Sequence, residues 1–533
     1  MVNTESSQEM DREMEYRKNQ EIELRITDLG AEGEGIGRTD AFLWFVKGAI
    51  PGDLIRASVM KVKKSYGYAR IQKILEASPD RVAPLCSVAS ACGGCSLQMM
   101  RYEAQLAFKE KKVLENLRRI GGLELSETQL HPIIGMDEPF RYRNKAQFPV
   151  GTDRDGNVVS GFYAGRTHSI IPCGDCLIGA EENEPLCNVV LEWMREYHIP
   201  AYDERSGEGF VRHILIRKGF WSGEIMVCLV TNGAQPLFGE MRRKGKSSVF
   251  CKQTGSGMRT FKSVLRNTEN AEGMKAFGSK EVSENAKISG SVRWSDREAV
   301  LQTLAERLMQ FPAVKTVVQN INMERNNVIL GNQTAVLSGS GVITDRIGEI
   351  EFAISAQSFY QVNPVQTQKL YAAALRCAGL TGQELVWDLY CGIGTISLFL
   401  ARSAGKVYGV EIVSQAIADA RRNAERNGIS NAEFFVGKAE EVLPEQYART
   451  GERADVIVVD PPRKGCDPKC LSTMLEMAPE RIVYVSCDSA TLARDLKFLL
   501  ADGRYQLKEV QPVDMFPQTS HVECIALIQR AKS

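Results

Sequence analysis

Residues 384–395 read ELVWDLYCGIGT, and this stretch decides the fold of the C-terminal part of the chain. ELVWDL is a short apolar run of strand length ending near Asp388. Gly392 and Gly394 follow, and a helical pattern starts near Thr395. Glycines at a strand-to-helix turn let the backbone approach a ligand closely. The next strand, KVYGVEI, ends at Glu411, 23 residues after Asp388. An acid about 20 residues on, at the tip of the second strand, suits ribose hydroxyls. A nucleoside cofactor is therefore expected over the first two strand ends. A dinucleotide fits less well, because Ser397 stands where G-x-G-x-x-G requires its third glycine.

Working outward, strands and helices alternate from about residue 382 to the end, which predicts a doubly wound α/β domain. Asp-x-x-x-Gly-x-Gly over 388–394 resembles the S-adenosylmethionine loop of class I methyltransferases. The fourth strand ends in Asp460-Pro-Pro-Arg463, where two prolines stiffen the backbone beside the carboxylate. Similar Asp-Pro-Pro motifs occur in methyltransferases that act on amino groups of bases, so the motif supports base methylation without choosing the atom. The fifth strand delivers Cys487 to its C-terminal tip, just before a helix whose N-terminus is expected to favour a thiolate. Carbon 5 of uracil is a poor nucleophile. Addition of a thiolate to carbon 6 activates it, and the carbon 5 proton must then be removed, so that chemistry needs a covalent nucleophile and a base. His521 and Glu523 lie on one face of an extended segment near the C-terminus and are both candidates for the base.

Upstream, residues 18–77 alternate like short strands around Gly33, Gly35 and Gly37, which predicts a small β-barrel. Residues 103–120 form an amphipathic helix ending at Gly121–Gly122. Residues 78–355 as a whole read as a central domain, mostly antiparallel β from about 140. A polar insertion interrupts it at about 234–296, basic at first, and residues 1–17 read as a disordered tail. Residues 356–533 are assigned to the catalytic domain. A chain of 533 residues is too long for one core, which fits this division. No apolar run approaches membrane-spanning length and the N-terminus lacks a signal-peptide core, so a cytoplasmic protein is expected.

Lys plus Arg equals Asp plus Glu at 66 each, so net charge does not identify a partner. Local charge is more informative. Residues 41–85 carry eight Lys/Arg against three Asp/Glu, and residues 241–266 carry eight and none. Such patches can neutralise phosphates. Among the 14 cysteines, Cys86, Cys92 and Cys95 lie close together, and Cys173 and Cys176 follow later. Soft thiolates at this density suit zinc or an iron–sulfur cluster.

The strings QSFYQVN (357–363), DLYCGIGTISL (388–398), DPPRKG (460–465), VSCDSATLARDL (485–496) and DMFPQTSHVE (514–523) together resemble the RNA uridine-5-methyltransferases of the 23S rRNA (uracil-5-) type. The resemblance runs from about residue 18 to the end. It implies Cys487 as nucleophile and Glu523 as proton acceptor. Gln361, Tyr390, Gly392, Glu411 and Asp460 would contact S-adenosylmethionine. Residues 18–77 resemble a TRAM domain, an OB-like RNA-binding barrel, with Lys61, Lys63, Lys64, Arg70, Tyr66 and Tyr68 facing RNA. It further implies a [4Fe–4S] cluster on Cys86, Cys92, Cys95 and, rather than Cys173, Cys176. The three early cysteines separate this branch from tRNA enzymes that lack them. Asp488 stands where some members carry Asn, which makes the local field less favourable to a thiolate. The partner implied is RNA, 23S rRNA in particular, with no membrane and no obligate protein partner. Rival readings are a tRNA uridine-5-methyltransferase, a catalytically silent RNA-binding factor of the same fold, and an exocyclic amino-group methyltransferase. Iron–sulfur methylthiotransferases also carry TRAM domains, but their Cys-x3-Cys-x2-Cys spacing differs from the x5, x2 spacing here.

Overall fold

The computed structural model describes residues 16–40, 42–126, 129–165, 167–233 and 294–531. The expected tail up to residue 15, most of the 234–296 insertion and its basic stretch at 241–266 lie outside the described residues.

Five strands close the N-terminal barrel: β1 (Glu21–Leu29), β2 (Gly35–Thr39), β3 (Phe42–Lys47), β4 (Leu54–Val62) and β5 (Tyr66–Glu76), in the order β1-β2-β3-β5-β4. β1 alternates exposed and buried residues along its first six positions, as a strand with one face in a core must. Trp44 fills the barrel at 0% exposure, and Gly67 makes room for it: a Cβ there would lie 2.3 Å from the indole ring. Helix α1 (Tyr102–Arg119) follows.

Among the described residues the central domain is built on a seven-stranded sheet. Its strands are β6 (Lys145–Thr152), β7 (Val158–Tyr163), β8 (Ile170–Pro172), β9 (Val211–Lys218), β10 (Ile225–Thr231), β11 (Val314–Ile321) and β12 (Gln333–Gly339). All neighbours are antiparallel except β10 and β11. Helices α2 (Asn183–Glu196) and α3 (Trp294–Leu308) cover one face, packing Leu186, Val190, Trp193 and Leu304 onto Ile214 and Val227. The sequence reading of this region as mostly antiparallel β placed neither helix. The spacing of Leu186, Val190, Trp193 and Met194 is helical, and it marks the stripe that α2 buries. The other face packs against a hairpin, β13 (Val342–Ile347) and β14 (Ile350–Ser355), and the C-terminal domain.

That C-terminal domain opens with α4 (Pro364–Ala378). It continues as β15 (Leu385–Leu389), α5 (Thr395–Ala401), β16 (Lys406–Glu411), α6 (Ser414–Arg426), β17 (Ala432–Val436), α7 (Ala439–Thr450), β18 (Val456–Val459), α8 (Pro468–Met477), β19 (Arg481–Ser486), α9 (Ser489–Leu499), β20 (Tyr505–Val513) and β21 (Glu523–Arg530). The sheet order is β17-β16-β15-β18-β19-β21-β20, with β21 antiparallel to both neighbours. Helices α4, α5 and α6 pack on one face. Helices α7, α8 and α9 pack on the other, joined by Val113 and Leu117 of α1. Strand order reverses between β15 and β18, which opens a crevice at their C-terminal ends. Among the described residues no helix is long and apolar enough to cross a membrane.

Candidate active site

A cavity of about 840 Å³ occupies that crevice. Gln361, Tyr390, Gly392, Glu411, Asp460, Cys487 and Glu523 all line it, as does His521. The backbone after β15 turns sharply: Tyr390, Gly392 and Gly394 have φ of 67°, 55° and 81°. A Cβ on Gly392 would meet nothing within 4 Å, so this face of the turn is free to receive a ligand. Asp388 is buried beneath. One of its oxygens accepts from Ser397 Oγ, and the other, Oδ1, is buried without a partner. Burial pushes the Asp388 carboxyl up to about 7. Glu411 closes the second strand and accepts the Val413 amide at 2.9 Å. The open glycine turn, the unpartnered carboxylate oxygen and the acid at the second strand tip fit a nucleoside sulfonium. Gln361 arrives from outside the sheet, its carbonyl held by Asn144 Nδ2 at 3.0 Å.

Asp460 follows β18, Cys487 follows β19, and Glu523 starts β21. The last pair in the β19–β21 ladder is Ser486–Cys524, so Cys487 and Glu523 leave adjacent strand ends together. Burial raises the Asp460 carboxyl above the ordinary range; burial and then the charge of Asp460 raise the Glu523 carboxyl, and Arg463 opposes this at Glu523. Burial pushes the Cys487 thiol up to about 12, helped by the charges of Glu523 and Asp460 and opposed by Arg463. This corrects the expectation that the α9 terminus favours a thiolate. Asp488 is the N-cap, and its carboxylate accepts from the amides of Ala490 and Thr491 at 2.9 and 3.0 Å. The helix end is already satisfied by an anion. His521 is pushed below its usual value, first by burial and then by Arg463 and Lys112.

Sequence reasoning missed several lining residues. Arg143 and Lys145 come from the start of the central domain, and Phe359 stands 64% exposed two residues before Gln361. Burial, then Arg217 and Arg143, lower the Lys145 ammonium to about 8. The signal for Phe359 was present inside QSFYQVN. Nothing in local periodicity announces that β6 reaches the cofactor crevice.

The cysteines lie apart from this cavity. Cys86 and Cys173 line a separate hollow of about 220 Å³. Cys95 and Cys176 pack against Met136, Tyr142 and Ile178. Burial raises the Cys95 thiol to about 12, with further contributions from Cys176, Cys92 and Cys86. The thiols therefore feel one another's charge, and the donors are the soft ones a cluster requires. Among the described residues, however, no three His, Cys, Asp or Glu side chains converge into a group that could hold a metal ion.

Comparison with known proteins agrees with this architecture. The tRNA (Uracil-5-)-methyltransferase family matches residues 302–531, and the TRAM domain matches residues 16–71. The chain is 47% identical to an uncharacterized RNA methyltransferase of Halalkalibacterium halodurans, over 96% of this chain and 97% of that one. It is 44% identical to one of Clostridium acetobutylicum, over 98% and 99%. The fold is similar to that of the Pyrococcus abyssi tRNA (uracil-54, C5)-methyltransferase solved with S-adenosyl-L-homocysteine. There the TM-score is 0.66 at 24% identity, covering 95% of this chain and 100% of that one. The chain belongs to the RNA uracil-5-methyltransferase family and carries an N-terminal TRAM domain.

Proposed function

We propose that this protein methylates carbon 5 of uridine in 23S rRNA, with Cys487 as covalent nucleophile and Glu523 as the base. One observation carries the reading: a thiol and a carboxylic acid leave adjoining strand ends in the cavity that also holds the glycine turn. An amino-group methyltransferase needs neither.

Gln361, Tyr390, Gly392, Glu411 and Asp460 would hold S-adenosylmethionine, which would supply an electrophilic methyl group to carbon 5 and leave as S-adenosylhomocysteine. The chain's own residues do the rest. A flipped uracil stacks on the exposed Phe359 ring. The Cys487 thiol gives its proton to solvent water, and its sulfur bonds carbon 6. Negative charge then spreads over carbon 5 and the carbon 4 oxygen, and cationic Lys145 and Arg463 on the cavity wall oppose that charge. Burial and Asp460 favour the protonated form of Glu523, so it must first ionise; its carboxylate then takes the carbon 5 proton, the ring double bond re-forms, and the carbon 6–sulfur bond breaks. The resting thiol is strongly protonated, so substrate binding must lower its pKa. Arg463 already acts in that direction.

The assignment to 23S rRNA rests on the early cysteines through the family resemblance. The resemblance gives Cys86, Cys92, Cys95 and Cys176 to a [4Fe–4S] cluster with a structural or RNA-positioning role, because methyl transfer is redox-neutral, although no three of them converge into a metal-holding group among the described residues. The barrel supplies RNA contact through Lys61, Lys63, Lys64 and Arg70, beside the packed rings of Phe45, Tyr66 and Tyr68.

The test is incubation with labelled S-adenosylmethionine and unmodified 23S rRNA or tRNA, followed by mapping of 5-methyluridine. Label in 23S rRNA supports the reading. Label only in tRNA favours the tRNA enzyme, and label on an exocyclic nitrogen contradicts the chemistry.

A further inference from the structure

Helix α1 belongs to neither the sheet nor the cavity wall, yet one of its faces grips the supports of both reacting groups. Gln105, Lys109, Lys112 and Asn116 recur at intervals of four, three and four, the spacing of a single helical face. Gln105 and Gln518 form a reciprocal pair: the Gln105 amide donates to Gln518 Oε1, and Gln105 Oε1 accepts the Gln518 backbone N–H, both at 3.1 Å. Lys109, fully buried, donates to Asp514 Oδ1 at 2.5 Å and to the Phe516 carbonyl at 3.0 Å. Lys112 donates to the Ser520 carbonyl at 3.0 Å and to Ala31 of the barrel at 2.9 Å. Asn116 donates to Ser489 Oγ at 2.8 Å. The first three contacts hold the segment leading into Glu523. The fourth holds the first residue of α9, two positions after Cys487.

The segment needs holding. Gln518 has φ of 69°, a left-handed conformation that a side chain makes costly. Its carbonyl is pinned from the other side by the amides of Ser96 and Leu97, both at 3.0 Å. The other oxygen of Asp514 accepts from Tyr102, also on α1, at 2.8 Å. A sealed Lys–Asp pair is a poor source of stability, because desolvation offsets its attraction. What it provides is direction.

We propose that this face of α1 is a positioning element that sets the base against the nucleophile, with Gln105, Lys109 and Lys112 acting on Glu523 and Asn116 on Cys487. The inference rests on the covalent mechanism above and extends it to residues that touch no substrate. It predicts that the two ends of the stripe affect different steps. A catalytic group displaced by a fraction of an ångström loses about tenfold or more in its own step.

The experiment is a single-turnover assay with methyl-labelled S-adenosylmethionine and RNA, run on Gln105→Leu, Lys112→Met, Asn116→Ala and Glu523→Gln. Lys112→Met is the milder variant, should Gln105→Leu fold poorly. S-adenosylhomocysteine binding and a thermal melt report folding in each. For Gln105→Leu and Lys112→Met, total methyl incorporation should stay within about twofold, while release of free methylated RNA slows by about tenfold, so that a methylated protein–RNA adduct persists. For Asn116→Ala, incorporation itself should slow and no adduct should persist. Equal slowing of both steps in all three variants, or no change in either, overturns the proposal. Glu523→Gln separates the two levels. If it accumulates adduct while Gln105→Leu and Lys112→Met do not, the positioning role fails alone. If it forms no adduct and Cys487→Ala still turns over, the covalent mechanism fails and takes this inference with it.

Discussion

Cys487 and Glu523 occupy opposed positions one step beyond the last paired residues of β19 and β21. The register runs from Arg481–Gln529 to Ser486–Cys524, and its continuation sets residue 487 against residue 523. Directly opposed residues in such a pair have Cβ atoms about 4.5–5.5 Å apart. Adjoining strand ends of this kind suit two groups acting on neighbouring ring carbons, sulfur at carbon 6 and carboxylate at carbon 5.

The nucleophile is the first point to test. Cys487→Ala should lower 5-methyluridine formation by about 10³-fold or more, because the steps it serves act as a unit. S-adenosylhomocysteine affinity, measured by calorimetry, should stay within about twofold, since the glycine turn is untouched. Retained turnover would indicate chemistry at an exocyclic nitrogen.

The carboxyl pair makes stability depend on pH in a defined direction. Glu523 is raised from 4.5 to about 8 by burial and by Asp460. A carboxyl whose folded pKa is raised stabilises the fold while protonated, and that contribution declines as pH rises from the unfolded value through the folded one. The melting temperature of the wild type relative to Glu523→Gln should therefore fall between about pH 4.5 and pH 8. A constant difference across that window would mean that the carboxyl is not raised.

Two neighbouring glycines should respond differently to alanine. At Gly394 a Cβ would lie 3.1 Å from Phe434 and 3.2 Å from Ala420, so Gly394→Ala should destabilise by about 1–3 kcal/mol. At Gly392 the space is open and only the positive φ is penalised, about 1–2 kcal/mol. Its added methyl points into the cavity, so Gly392→Ala should raise the KM for S-adenosylmethionine more than it lowers the melting temperature.

The barrel allows RNA contact to be tested apart from chemistry. Gly67→Ala drives a methyl group into Trp44 and should cost about 1–3 kcal/mol in the barrel. RNA affinity in a filter-binding assay should drop while S-adenosylhomocysteine binding remains. Unchanged RNA affinity would remove the barrel from substrate recognition.

Sequence patterns carried the C-terminal sheet well, because four of its strands, β15, β16, β18 and β19, end on or beside a residue with visible chemistry: Asp388, Glu411, Asp460 and Cys487. The central domain was harder to read. The strands β9 and β10 are buried almost throughout and show no alternation, and α2 and α3 announce themselves only by spacing. Cavity residues contributed from afar were least legible. Lys145 reaches the crevice through tertiary packing, and no local signal encodes that, whereas Phe359 stood inside the QSFYQVN string. The α9 terminus misled for a related reason: Asp488 was read as a neighbouring charge, whereas it caps the very amides expected to stabilise the thiolate.

The central claim is a transient bond between the sulfur of residue 487 and the pyrimidine. Its most direct measurement is mass spectrometry of the adduct trapped by Glu523→Gln with RNA and S-adenosylmethionine. The predicted result is a Cys487 peptide carrying a 5-methylated uridine through carbon 6, with the carbon 5 proton retained. A methylated RNA product with no nucleotide on Cys487, or with the nucleotide on another residue, would contradict it.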